Sequence, residues 1–385
     1  MNPHTQPKTE KKRAVSLDVA RGIMLLLIVL AHAPLFLYES NPGVMSRPES
    51  LSTLERIFNS MGELFIDNRA RPLFAVLFGY GMAMMFESQL SKGISPNVAR
   101  KTINRRSFYL ILFGIVLAVV VGGQDILMAY GIAGLLVSKL LLYNNKVLKK
   151  VTVSLTIVYM LFIPVIWGFF LKEIGGYGFG TEFSSDQSYS QLFMETMIYF
   201  PTIPVFIHFL FPILPSVLLG IWMGRKKLLT ESHKYMRELK NLATAGITIS
   251  LVGSIPLVLL GEVWAPSLFT AGNIYGVQIL TGIAGGIGYA AFFGLIGCFL
   301  KRPGPIARSL IALGKRSLTF YILNEMILVI LLSPVAFGLG GELSIISVTG
   351  IAFLIWVTGI IMATVLEKFK LNGPFETFIR YLVYR

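Results

Sequence analysis

Leu17-Asp18-Val19-Ala20-Arg21-Gly22-Ile23-Met24-Leu25-Leu26-Leu27-Ile28-Val29-Leu30-Ala31-His32 is the stretch that decides the fold class. Ten uncharged residues separate Arg21 from His32, and the apolar run continues through Leu35-Phe36-Leu37. A helix of this length and composition suits a bilayer. Similar runs recur along nearly all of the 385 residues, of which 54% are apolar and 14% charged. Mean hydropathy is +0.70. A soluble globular chain carries roughly 25% charged residues, so the composition excludes a soluble domain, and equally a disordered or fibrous chain. The single cysteine, Cys298, excludes an internal disulfide, and no Cys/His spacing points to a metal site. No glycine-rich phosphate loop follows a strand pattern, which argues against nucleotide hydrolysis.

The fold expected is all-α and polytopic, with about ten spanning helices. They fall near 17–38, 71–88, 105–123, 125–143, 150–171, 201–223, 241–261, 275–299, 316–335 and 344–366. Residues 1–14 read as a disordered cytoplasmic tail and 15–385 as one helical membrane domain. The connections alternate in charge. The N-terminus, 89–104, 144–149, 224–240, 300–315 and the C-terminal tail, with adjoining helix ends, hold 29 of 34 Lys and Arg against 7 acidic residues. The opposite set, 39–70, 122–125, 172–200, 262–274 and 336–343, holds 5 basic and 12 acidic residues. Lys and Arg collect on the cytoplasmic side of short loops. Both termini are therefore expected in the cytoplasm, and the chain in a bacterial cytoplasmic membrane. The net charge of +14 is then topogenic, with a secondary pull on anionic headgroups, and nucleic acid is not an expected partner.

Lys11-Lys12-Arg13, the following apolar core and Ala31-His32-Ala33 imitate a secretory signal and its cleavage site. Asp18 and Arg21 at the start of that core, and Pro34 after the cut, argue for a retained first span. Two loops on the acidic side are long. Leu54 to Ile66 is amphipathic and suits the membrane surface. Residues 172–200 begin with Gly175-Gly176-Tyr177-Gly178-Phe179-Gly180 and then turn polar, as lids, binding loops and plain connectors all do.

Polar groups inside the membrane need a partner or a task. Arg21 and His32 lie eleven residues apart, so they share one helix face, roughly 16 Å apart along the axis. Asp18 lies one turn before Arg21, in reach of a local salt bridge. Glu325 falls near the middle of the ninth span, beside Asn324 and one turn after Tyr321. A lone carboxylate at that depth is either protonated or faces a cation; the candidates are His32, His208 and Arg71. Pro201, Pro204, Pro212 and Pro215 surround His208, and prolines that free carbonyls are tolerated where the backbone lines a cavity. His32, Arg69, Arg71, Asp125, His208 and Glu325 thus share the outer half, with Tyr130 a turn after Asp125. One polar cavity opening outward is the economical expectation. Gly282-x-x-x-Gly286, Gly220-x-x-x-Gly224, Gly79 and Gly81 suit close helix packing.

Several segments together resemble the YeiB-like family of bacterial membrane proteins, domain of unknown function 418. They are Ser16-Leu17-Asp18-x-x-Arg21-Gly22, Arg71-Pro72-Leu73-Phe74-x-x-Leu77-Phe78-Gly79-x-Gly81 and Arg105-Arg106. Asp125-Ile126-Leu127-x-x-Tyr130, Gly314-x-x-Ser317-Leu318-Thr319-x-Tyr321 and Gly373-Pro374-Phe375-Glu376-x-x-x-Arg380 complete the set. The resemblance extends over nearly the whole chain. Arg21-(ten residues)-His32 is also similar to the Arg-x10-His pattern of the acyltransferase-3 family, in which the histidine is the proposed catalytic residue and the arginine helps hold the donor or the site. YeiB-like proteins often carry Asn at the position of His32 and a histidine near the position of Leu117.

The resemblance and the residues support acyl transfer from a cytoplasmic thioester, such as an acyl-coenzyme A, to an outer-facing hydroxyl or amine. His32 would be the base, since imidazole titrates near working pH, with Glu325 or Asp125 orienting it. Arg21, Asp18, Arg69, Arg71, Tyr130, His208, Tyr321 and Asn324 are the expected substrate-binding groups. Arg100 to Arg106 and Arg225-Lys226-Lys227 are the basic runs suited to a donor's phosphates. The alternative is a proton-coupled transporter or exporter of a small molecule, built around Glu325 and the proline-broken spans. The partners expected are the bilayer, a small-molecule or envelope acceptor, and a second copy of the chain; no bound cofactor is expected.

Overall fold

The computed structural model describes residues 15–180, 183–199, 202–261, 263–300 and 303–385. The tail expected over 1–14, and Pro201, lie outside them. Side chains that end the preceding loop start several of the helices. Ser52, Asn144, Ser267 and Ser344 each accept a hydrogen bond from the backbone N–H three residues on, satisfying a donor that the first turn leaves open. Pro96, Pro305 and Pro374 begin three others, where the missing N–H costs nothing.

In chain order the helices are α1 Val15–His32, α2 Thr53–Phe65, α3 Ala70–Leu90, α4 Pro96–Ile115 and α5 Leu127–Val137. Then come α6 Asn145–Ile174, α7 Tyr189–Tyr199, α8 Ile203–Leu210, α9 Ile213–Arg225, α10 Met236–Val252 and α11 Ile255–Val258. The last are α12 Leu268–Phe299, α13 Pro305–Lys315, α14 Ser317–Leu332, α15 Ile345–Lys368 and α16 Pro374–Tyr384. The described residues form no strand, only isolated bridges such as Met45 with Gly178. The chain is an all-helical membrane protein. Among the described residues seven helices are long and apolar enough to cross a bilayer. The other three expected spans fall on shorter apolar helices, Leu127–Leu142, Ile213–Arg225 and Ser317–Leu332.

Three expected spans differ in outline. The sixth is broken into α8 and α9 at Phe211–Pro212, because proline offers no N–H to continue the ladder. The seventh stops at Gly253 and resumes as the single turn α11. The third begins early, at Pro96, and ends in a π-helical turn over Val116–Val121.

The glycines expected at helix contacts sit there. A Cβ on Gly79 would lie 2.0 Å from the Val217 carbonyl oxygen, and one on Gly220 2.1 Å from that of Val76. α3 and α9 therefore touch backbone to backbone, and Leu73, Val76, Tyr80, Val217 and Ile221 fill the core around them. Gly81 differs: its free face looks toward the Arg21 guanidinium.

α2 lies across the end of the bundle that carries the acidic loops, against α10, α11 and α15. Its polar side, Asn59 and Glu63, faces the protein, while Leu54, Ile57 and Met61 are each 52% exposed. A bidentate pair fixes it: Arg47 donates from Nε and Nη2 to Asp67 at 2.6 and 3.0 Å. Burial works to lower the Arg47 pKa, and the adjacent Asp67 carboxylate more than reverses that, leaving it raised. An amphipathic helix held by its polar face, with its apolar face outward, is built for a membrane interface.

Candidate functional site

α1 carries Asp18, Arg21 and His32 along one face. Asp18 Oδ1 accepts from Arg21 Nη1 at 3.3 Å, the local salt bridge that the spacing foretells. Three turns on, His32 Nδ1 lies 2.6 Å from Glu325 Oε1 of α14. His32 is buried, Glu325 is 0% exposed, and Glu325 Oε2 has no hydrogen-bond partner among the described residues. Of the three partners open to Glu325, the structure selects His32. With Nδ1–H on a carboxylate, the basic nitrogen of a neutral imidazole is Nε2, the arrangement that triads use.

Asp125 lies close to this pair: two residues before it, a Cβ at Gly123 would be 3.5 Å from Glu325 Cβ. It sits in the segment between the π-helical turn and α5. Its Oδ1 and Oδ2 accept from Leu127 N at 2.9 Å and Met128 N at 2.8 Å, so it caps α5. A single π turn is frequent at functional sites. Here it ends at Gly122, whose φ of +79° suits glycine. Tyr321, one turn before Glu325, closes the same segment: its hydroxyl donates to Gln124 O at 3.0 Å and accepts from Ile126 N at 3.2 Å.

The structure does not gather all six outer-half residues into one outward cavity. Arg69 turns away and latches the α2–α3 corner, donating to the Glu63, Asp67 and Ser250 carbonyls and to Ser254 Oγ. Arg71 lies 3.7 Å above the Phe211 ring and donates to Asn68 Oδ1 at 3.3 Å, beside a void of only about 10 Å³. Tyr130 donates to Arg71 O at 2.8 Å and stacks on Phe74. His208 Nε2 lies 3.1 Å from Ala129 O, and Asn324 faces Gly359 of α15. The cluster proper is His32, Glu325 and Asp125, with Tyr321 beneath it.

The roomy space lies toward the other end, the end with the basic connections. A cavity of about 380 Å³ has Arg21, Arg106, Lys315 and Arg380 at its mouth, and Met24, Phe74, Leu77, Phe78, Leu110 and Leu127 along its walls. From Met85 to Phe74 it follows α3 for about 16 Å, and Tyr321 stands at its inner end. The basic head and apolar body suit an anion attached to a slender apolar or amphipathic chain. Arg106 was legible as part of a basic run; Lys315 and Arg380 were not singled out as ligand groups. Their signal was the pair of segments Gly314–Tyr321 and Gly373–Arg380, which meet in space. Glu376 of α16 accepts from Leu318 N and Thr319 N at 2.7 and 3.1 Å, capping α14 and bringing Arg380 to the mouth. The other basic run is occupied elsewhere. Arg225 donates to the Leu140 and Leu141 carbonyls and to Asn145 Oδ1, and Lys226 pairs with Glu238.

Fold and site together define a polytopic helical membrane protein with a buried His–carboxylate cluster above a basic-mouthed cavity. Residues 223–385, which carry Glu325, Tyr321, Glu376 and Arg380, match the family described as protein of unknown function, DUF418. The chain is also similar to the uncharacterized protein YxaH of Bacillus subtilis (strain 168), at 26% identity over 282 residues. That likeness covers 64% of this chain and 66% of the relative. Both descriptions leave the activity open, so the acyltransferase likeness of the first helix rests on Arg21 and His32 themselves.

Proposed function

We propose that this protein is a membrane acyltransferase with ten spans and both termini in the cytoplasm of a bacterium, its basic end facing inward. The single observation that carries the reading is the buried His32–Glu325 pair on the helix whose other end, at Arg21, lines the basic-mouthed cavity. A thioester donor would lie in that cavity with its phosphates among Arg21, Arg106, Lys315 and Arg380, charge-assisted contacts of the stronger kind. The acceptor would approach His32 from the acidic end. His32 Nε2 takes the proton of the acceptor hydroxyl or amine as its lone pair attacks the thioester carbonyl. The carbonyl–sulfur bond breaks, and the thiolate leaves with the proton that His32 returns. Glu325 steadies the imidazolium between these steps, and such base catalysis contributes about 10²–10⁴ in rate.

The test is thiol release from acetyl-coenzyme A by the protein in everted membrane vesicles, which retain the envelope's own acceptors. His32→Ala and His32→Asn are expected to lower release about 100-fold or more while the protein level and melting temperature stay near wild type. An active His32→Asn protein would remove His32 as the base.

Proton-coupled transport is the second reading. It is favoured by Glu325 itself, a fully buried carboxyl within a span whose Oε2 has no hydrogen-bond partner among the described residues. On that reading Glu325→Gln is the more damaging change and His32→Ala impairs only in part.

A further inference from the structure

Neither His32, Glu325 nor Asp125 lines the inner cavity; Tyr321 does, and its hydroxyl holds the segment that carries Asp125. Tyr321 is buried. Its ring closes the cavity's inner end, and its hydroxyl grips the chain on both sides of Asp125, at Gln124 O and Ile126 N. The gripped segment has other bonds too: Gly123 N donates to Leu117 O at 3.1 Å, and Asp125 caps α5. It follows a π-helical turn, passes through Gly122 in the left-handed region and continues through Gly123. No side chain at 122 or 123 anchors it. Its two glycines add no side-chain packing, so these bonds and the Tyr321 grip are what hold it in place.

Its far side is covered as well. A Cβ at Gly122 would lie 2.7 Å from Leu192 Cδ2 of α7, and Tyr189 of the same helix donates to Val120 O at 2.7 Å. Phe183 stacks on Phe36 with centroids 5.3 Å apart. The long acidic-end loop therefore lies over the segment while Tyr321 lies under it. The segment is a thin partition with a tether on the cavity side.

We propose that Tyr321 is a positioning residue whose hydroxyl holds segment 122–126 shut between the inner cavity and the His32–Glu325 pair, and that release of this tether joins the two spaces. A group carried on a slender chain in the cavity meets the His32 imidazole only when that happens. The same release moves Asp125, because the tether grips the residues on either side of it. What crosses the partition rests on the acyl-transfer reading; the partition itself rests on the geometry.

The experiment is sided cysteine labelling. The native Cys298, which is buried, is replaced by serine and a reporter is introduced as Gly123→Cys. A Cβ at 123 makes only ordinary contacts, 3.5 Å from Glu325 Cβ and from Leu117 Cδ1, so the reporter fits and faces the cluster. The probe is sulfonatoethyl methanethiosulfonate, an anion that the basic mouth attracts, applied to everted vesicles and, separately, to right-side-out vesicles. With Tyr321 intact, labelling from the basic side is slow. Tyr321→Phe keeps the ring and removes the tether. It is expected to speed basic-side labelling about tenfold, as loss of hydrogen bonds at both ends of a two-state element predicts, with the opposite-side rate unchanged. Tyr321→Leu, which also shortens the side chain, gives at least the same acceleration. Equal basic-side rates for Tyr321 and Tyr321→Phe overturn the proposal. So does equal acceleration from both sides, which is general loosening rather than release of a partition. Labelling needs no turnover, so the outcomes separate. Loss of thiol release with the labelling pattern intact removes the acyltransferase and leaves the partition. Thiol release with no effect of Tyr321→Phe leaves the enzyme and removes the partition.

Discussion

The His32–Glu325 pair can be weighed by removing its members singly and together. Glu325 is fully enclosed, its Oε1 is 2.6 Å from His32 Nδ1, and its Oε2 finds no donor among the described residues. His32→Leu keeps the volume roughly constant and strands the carboxylate. Breaking a buried pair from one side costs about 3–5 kcal/mol. Glu325→Leu strands a polar but neutral-capable ring, for about 1–3 kcal/mol. In the double variant both groups are apolar, the neighbours Val29, Leu328 and Leu332 are already apolar, and nothing polar is left stranded. It should lie within about 2 kcal/mol of wild type. The coupling energy of the cycle is then roughly 2 kcal/mol or more, in the upper part of the range for touching residues or above it. The assay is unfolding in mixed detergent–SDS micelles, followed by circular dichroism. All three variants should lack thiol release, so stability and catalysis part company in the double variant. A double variant no more stable than His32→Leu would refute the reasoning, because the pair would then carry no buried-charge penalty to relieve.

Other outcomes follow from the same geometry. Glu325→Gln retains an acceptor for His32 Nδ1 and should cost about 1 kcal/mol, whereas Glu325→Lys places a cation against the ring in a dry site and should abolish assembled protein on a blot of purified membranes. Reporter fusions at 89–104 and 224–240 should read cytoplasmic and one at 172–200 outside; a cytoplasmic signal from 172–200 would overturn the orientation drawn from charge. The exposed face of α2 should sit in the interface, so Ile57→Asp with Met61→Asp should lower protease resistance of the 39–70 region in vesicles and change the melting of the bundle little, since both side chains are half exposed and outside its core.

The membrane fold was legible along the chain because a bilayer imposes a one-dimensional rule. Each span satisfies its own backbone hydrogen bonds and must be apolar for its length, so runs such as 345–368 announce themselves without reference to any other segment. The Asp18–Arg21 bridge was legible for the same reason, being local to one helix. The registration of Arg21 and His32 on one face followed from helix geometry alone. The identity of Glu325's partner was not, since α1 and α14 lie far apart in the chain and the sequence offered His32, His208 and Arg71 on equal terms. The outward cavity was misjudged because depth along a helix says nothing about azimuth: Arg69 and Arg71 share a depth with the cluster yet point to the α2–α3 corner and to Phe211. The basic-mouthed cavity could not be read at all before folding. It exists because Glu376, on the last helix, caps α14 and carries Arg380 to the mouth beside Arg21 and Arg106. Local composition determines which segments enter a bilayer; only side-chain contacts between distant segments decide which polar groups meet and where the space between helices is left open.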